Sequence, residues 1–173
     1  MRLLRVSLVV GLVFTACPLA AQNLRIYQID AEPADAALFV LPNGKTLLID
    51  AGKNGHGERI RHVMARAGVT QIDAFVATHY HEDHVGGIDE LVDVGVPVLE
   101  SFVRGDKDCC LSAANQNEPT FKDYQRTVGE DARPLRLGDT ISLDPLVTLH
   151  CIAAGGSWWA KTRTARLRTR RTT

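Results

Sequence analysis

Within Thr78-His79-Tyr80-His81-Glu82-Asp83-His84, three imidazoles and two carboxylates crowd into one short segment. Neutral imidazole nitrogens and carboxylate oxygens are the ligands that zinc-type cations take. His79 and His81 are two residues apart, so an extended backbone sends both side chains to the same side, where they can share one cation. Asp83 and His84 follow at once, and a turn there can bring them to a second cation beside the first. His79, His81, Asp83 and His84 are therefore the expected metal ligands, for up to two Zn2+ ions. The chemistry such a centre supplies is activation of water near neutral pH, which makes hydrolysis the expected reaction. Asp83 is the candidate catalytic residue, both ligating and orienting the attacking water. Glu82 falls between ligands and reads as solvated.

The elements around this segment are those needed to hold it. Ile72–Ala77 is a mostly apolar run that reads as a buried strand delivering the histidines at its carboxyl end, where α/β sheets place ligands. Gly86-Gly87 permits close backbone approach, and Ile88–Val92 has the apolar spacing of a short helix. Upstream, Ala37–Leu41, Pro42-Asn43-Gly44-Lys45 and Thr46–Gly52 predict two strands joined by an Asn-Gly turn, with Asp50 near the end of the second. Asp50 reads equally as a cap of the following turn or as a partner of the ligand loop.

Thr78 to His84 with Gly86-Gly87 resembles the signature of the metallo-β-lactamase fold of hydrolases. The stretch from Asp35-Ala36-Ala37-Leu38 through Leu41-Pro42-Asn43-Gly44-Lys45 to Ile49-Asp50-Ala51-Gly52 is similar to the hydrolase domain of competence-related DNA-uptake proteins. The resemblance covers about residues 24 to 154, densely at 35 to 92. It implies an αβ/βα sandwich, with His79 and His81 on the first metal and Asp83 and His84 on the second. It also implies that Asp50 orients the ligand loop by hydrogen bonds, while Thr78 bonds to loop backbone. The activity it implies is metal-dependent hydrolysis of an ester, phosphodiester, lactone or lactam by a zinc-bound hydroxide. The family completes its site with a further histidine, a bridging aspartate and a final histidine in the second half of the fold. Here the only later histidine is His150, within the strand-like Val147–Ile152, where a packed or edge position is the expectation. The domain at 22–154 is thus expected to be the N-terminal part of the sandwich with an incomplete second half. The alternative to a working hydrolase is a non-catalytic, metal-binding remnant of one.

Residues 155–173 change character, becoming a run of Thr, Arg, Ala and Leu without periodicity. This tail reads either as a basic arm for nucleic acid or, preferably, as out-of-frame translation. The chain is neutral overall, yet its last thirteen residues carry six basic and no acidic groups, whereas residues 22–160 carry twelve basic against twenty acidic. An acidic body provides no basic track for a nucleic-acid backbone, so a small-molecule or phosphodiester substrate at the metals is the expected partner. Oligomeric state has no signature in the chain.

Met1–Arg5 is a positive start, Val6–Ala16 an apolar core too short to span a bilayer, and Pro18–Gln22 supplies small residues for cleavage. Residues 1–21 are expected to be a secretory signal that places the protein in the periplasm or outside the cell. Thr15-Ala16-Cys17 alternatively resembles a lipoprotein site. After removal of the signal, Cys109, Cys110 and Cys151 remain, with no pairing assignable. Further elements expected are a strand at Leu24–Ile29, a helix at Glu58–Ala67 stopped by Gly68, strands at Val96–Leu99 and 139–143, and a helix at Thr120–Val128. His62 is expected on the polar side of its helix. His56 reads as a loop residue that could reach an open site.

Overall fold

The computed structural model describes residues 23–31, 33–104, 118–129 and 131–154, together with the short strand at 157–158. The expected signal with Cys17, the Cys109-Cys110 pair, and the tail apart from 157–158 lie outside the described residues.

Alternation of apolar residues over two faces builds a six-stranded mixed sheet in sequential order. β1 (Arg25–Gln28), β2 (Ala36–Val40) and β3 (Thr46–Ala51) are antiparallel; β4 (Ala74–Ala77), β5 (Ser101–Arg104) and β6 (Arg133–Leu135) continue it in parallel. The β2–β3 connection is the expected turn, closed by the Leu41 N–H donating to Lys45 O and the Gly44 N–H donating to Leu41 O, with Gly44 at φ 86° where a Cβ would be strained. Parallel pairing requires crossovers, and these are helical. α1 (Gly57–Ala67) joins β3 to β4; α2 (Glu82–Val85) and α3 (Ile88–Asp93) lie between β4 and β5; α4 (Pro119–Tyr124) precedes β6 and runs into a wide π-type turn at Gln125–Gly129.

All four helices lie on one face. Leu38, Leu48, Phe75 and Val103 of the sheet pack there with Ile60 and Met64 of α1, Val85 of α2, Ile88 and Leu91 of α3, and Phe121 and Tyr124 of α4. The alternate residues Leu47, Ala74, Val76 and Phe102 face the other way, onto Leu135 and Ile141. That second face is covered by a small hairpin of β7 (Thr140–Ile141) and β8 (Leu149–His150), after which β9 (Ala153–Ala154) pairs with β10 (Ser157–Trp158). A tail read as unfolded from residue 155 therefore begins with one more short ladder. Among the described residues no helix is long and apolar enough to cross a membrane.

Asp73 pins the entry of the two strands that carry the site. Its Oδ2 accepts from the Thr46 backbone N–H at 2.8 Å and from Thr46 Oγ1 at 3.0 Å, while Gln71 Nε2 donates to Oδ1 at 3.0 Å. The register Ile49↔Val76 follows, which sets Asp50 and Thr78 side by side at the strand ends.

Two expectations are corrected. Val96–Leu99 is not a strand: it touches the sheet through one bridge, Ile72↔Val98, and the ladder proper starts at Ser101. Pro97 has no N–H to give, so the segment meets only Ile72, accepting its N–H on the Pro97 carbonyl at 2.8 Å and donating the Leu99 N–H to its carbonyl at 3.0 Å. The second expected strand, 139–143, contracts to Thr140–Ile141. His62 is exposed, as is His150, at the end of β8.

Candidate metal centre

β3 and β4 end together, and the chain leaves each end toward the same point. Asp50 occupies the left-handed region at φ 56°, a conformation that aspartate tolerates better than most side chains. Backbone in this region at a strand end is a recognised mark of functional sites. The conformation turns the carboxylate across to the neighbouring strand, where it is 3% exposed and fully engaged. Its Oδ1 accepts the Thr78 backbone N–H at 2.8 Å, and its Oδ2 accepts Thr78 Oγ1 at 2.7 Å and His84 Nδ1 at 2.9 Å.

These contacts determine what the imidazoles present. A carboxylate only accepts, so the contact to His84 assigns the proton to Nδ1 and leaves the Nε2 lone pair free for a cation. Nε2 lies 3.5 Å from Asp83 Oδ2. Thr78 Oγ1, its own proton committed to Asp50, is 3.3 Å from His79 Nδ1 and can accept there, which likewise leaves His79 Nε2 as the donor to a metal. Thr78 thus bonds the Asp50 side chain, not the loop backbone as expected. Burial, followed by the neighbouring His84 and His81, lowers the pKa of His79 below 6.5, which favours the neutral, ligating form.

The extended run 79–81 behaves as its period demands: Tyr80 turns into the core against Phe121 and Tyr124, while His79 and His81 point to the other side. His81 then begins α2 in extended conformation, its carbonyl accepting the His84 and Val85 N–H groups. This one turn swings Asp83 and His84 back toward His79. Donor atoms of His79, Asp83 and His84 all lie within 4.8 Å of one another. The His79 and His84 ring centroids are 3.7 Å apart, and that of His81 is 4.8 Å from His79. The three donors that lie closest together are thus His79, Asp83 and His84, with His81 exposed beside them. A zinc-type cation fits this donor set: two imidazoles with free nitrogens and an acid, at a dry base with a wet mouth.

Glycines allow the ligand turn to sit this close to the β3–α1 loop. Gly86 N–H donates to Gly52 O at 2.8 Å, and a Cβ on Gly86 would lie 2.6 Å from Glu82 O and from the Lys53 carbonyl carbon. Gly86→Ala is expected to destabilise the chain by about 1–3 kcal/mol through backbone overpacking, read as a lower urea midpoint.

Sequence reasoning passed over Glu90, which sits in α3 among apolar residues. Its carboxylate accepts the Gly55 N–H at 2.5 Å and the Gly57 N–H at 2.8 Å, closing the loop that follows Asp50 and satisfying the start of α1. An acid in the first turn of a helix after a Gly-Gly pair is the only local signal for it.

His56, expected in a loop open to the site, is instead buried in the same closure, its Nδ1 accepting the Lys53 N–H at 3.3 Å. Burial, then Arg59 and Lys53, lowers its pKa below 6.5. Below that pH the unfolded chain binds the proton more readily than the folded one, so stability falls as pH drops through and below 6.5. His56→Asn retains an acceptor near the Nδ1 position, and its melting temperature is expected to fall less between pH 7 and pH 5 than that of the parent.

Comparison with known proteins bears on the family and the fold. The chain is 30% identical over 125 residues to the Anti-Pycsar protein Apyc1 of Bacillus phage vB_BsuM-Goe3, and to that of Bacillus phage vB_BveM-Goe7 to the same extent. In each case the match covers 69% of this chain and 44% of the relative, so the chain spans less than half the length of those proteins. The crystal structure of MEM-A1, a subclass B3 metallo-beta-lactamase from a soil metagenome library, superposes with a TM-score of 0.51 at 19% identity, covering 69% of this chain and 46% of that one. The model of the metallo-beta-lactamase superfamily matches residues 30–152, and the chain belongs to that superfamily, whose members are generally hydrolases.

Proposed function

We propose that this protein is a zinc-dependent hydrolase whose substrate is an ester, phosphodiester, lactone or lactam. The observation that carries the reading is the convergence of His79, Asp83 and His84 within 4.8 Å, with the proton of His84 held on its far side by buried Asp50. A bound divalent cation supplies acidity to coordinated water at neutral pH. His79 and His84 offer neutral nitrogens to it. Asp83, half-exposed at the mouth, completes the grip and is placed to orient the attacking water. His81 is the remaining imidazole for the same cation or a second one.

Beside Thr78 a cavity of about 260 Å³ opens against the second face of the sheet, lined by Ile49, Val76 and Leu149 with Arg104 at its wall. This suits a substrate with an apolar portion, while Arg104 and Asp139 in the same lining offer one charge of each sign. The competence-like branch suggested by the residues around Asp50 points to a phosphodiester among these classes. An exported location, from the residue 1–21 signal, is part of the same proposal.

The test is zinc-loaded full chain against bis(p-nitrophenyl) phosphate, p-nitrophenyl acetate, a homoserine lactone and nitrocefin. Turnover of at least one, abolished in His84→Ala, supports the hydrolase. The second reading, a metal-binding remnant, is favoured by the single three-residue donor group among the described residues. It predicts bound zinc with no turnover of any of the four.

A further inference from the structure

His84 Nε2 has more than one carboxylate beside it. Asp35, at the N-terminal edge of β2, places Oδ2 4.0 Å from His84 Nε2, and Asp83 Oδ2 lies 3.5 Å from the same atom. Neither sequence spacing nor the ligand motif selects this residue, which is far from the motif in sequence.

Its position is fixed through the backbone. The Asp35 N–H donates to Asp83 O at 3.2 Å, and Asp35 O accepts the Gly52 N–H at 2.9 Å. The residue is therefore stitched to the ligand turn on one side and to the loop after Asp50 on the other. Its side chain, 69% exposed, receives no hydrogen bond among the described residues.

The hydrogen-bond pattern around His84 supplies an independent argument. With the proton on Nδ1 held by Asp50, Nε2 is a lone pair, and ionised carboxylate oxygens are lone pairs too. Carboxylate oxygens 3.5 and 4.0 Å from one imidazole lone pair are each unfavourable there unless a positive charge lies between them. Two donors bonded to one zinc-type cation at about 2.0–2.2 Å each can be no more than about 4.4 Å apart, and both contacts satisfy that limit.

We propose that Asp35 is a further carboxylate ligand of the cation held by Asp83 and His84. This rests on the metal centre proposed above and adds a fourth donor to it, from an element that the ligand motif does not contain. It gives that cation two carboxylates, a set that draws charge from both the β1–β2 connection and the α2 turn.

Cobalt(II) serves as the probe, because its visible d–d bands report the ligand set directly. The full chain, D35N, D83N and E82Q are titrated with cobalt alone and in competition with a chromophoric chelator. Glu82 is exposed and adjacent, so E82Q removes the same charge without removing a proposed ligand. D35N and D83N are each expected to weaken binding by roughly tenfold or more, the scale that even an outer partner of a metal site carries, and to shift the d–d bands. E82Q is expected to leave the bands in place. Should D35N not fold, D35E is read instead, with altered bands expected from the displaced carboxylate. Cobalt binding that weakens in D83N while D35N matches E82Q in affinity and spectrum overturns the assignment and leaves the metal centre standing. Failure of the unaltered chain to bind cobalt overturns both.

Discussion

Asp50→Ala is expected to cost about 3 kcal/mol of stability in the metal-free chain, because it takes a buried carboxylate acceptor away from three donors. The carboxylate is the shortest-range acceptor of three donors: the Thr78 N–H, the Thr78 hydroxyl and His84 Nδ1. Alanine leaves all three buried or half-buried without it, and each lost bond to a charged acceptor is worth about 1.5–3 kcal/mol, not additively. Alanine also bears the left-handed φ of 56° less well than aspartate. Asp50→Asn isolates the site from the scaffold. It keeps the volume and the backbone tolerance, and one oxygen remains for the Thr78 N–H. Its amide nitrogen, however, opposes a donor, which frees His84 to move its proton to Nε2 and so block its own lone pair. Stability by urea titration should therefore fall less in Asn than in Ala, while zinc affinity should fall roughly 10–100-fold in both. An Asn variant with unchanged zinc affinity would show that Asp50 holds only the fold.

His84→Ala is expected to do the reverse, abolishing tight zinc binding while leaving the chain folded. Asp50 keeps both Thr78 donors when the imidazole is gone, and the small helix α2 still closes through the His81 carbonyl. The loss in affinity should exceed the roughly 100-fold upper range of an outer partner. His79→Ala should match it. His81→Ala should cost clearly less, since His81 is exposed and outside the three-donor group. Isothermal titration of the three variants, with circular dichroism as the check on folding, orders them. Equal loss in His81→Ala would favour the two-plus-two grouping that the spacing suggests.

How far the sequence carried the description depends on whether a feature is local. The alternating run through Leu47, Leu48 and Ile49, the continuous apolar Ala74–Ala77 and the 3.6-residue spacing of Ile60, Met64 and Ala67 are written in neighbouring residues, and the strands and helix they imply are present. The His79–His84 cluster is legible for the same reason, since its members are adjacent in the chain. What escaped depends on partners distant in the chain. β5 and β6 are short and mixed, and they exist because Phe102 and Leu135 close the second face beside Val76 and Ile141, which no local period reveals. His56 became a buried residue because Glu90, from another helix, folds its loop inward. Spacing alone treats 79–81 as one unit. The tight turn through Glu82 instead brings His84 back onto His79, ring against ring at 3.7 Å.

The central claim, that imidazoles of His79 and His84 and the carboxylate of Asp83 bind one cation, is tested most directly by X-ray absorption at the zinc edge on chain loaded with one equivalent. The account predicts two imidazole nitrogens at about 2.0–2.1 Å with carboxylate oxygen completing the shell, and loss of one imidazole's scattering in His84→Ala. A shell of water oxygens without imidazole scattering, unchanged in that variant, would contradict it.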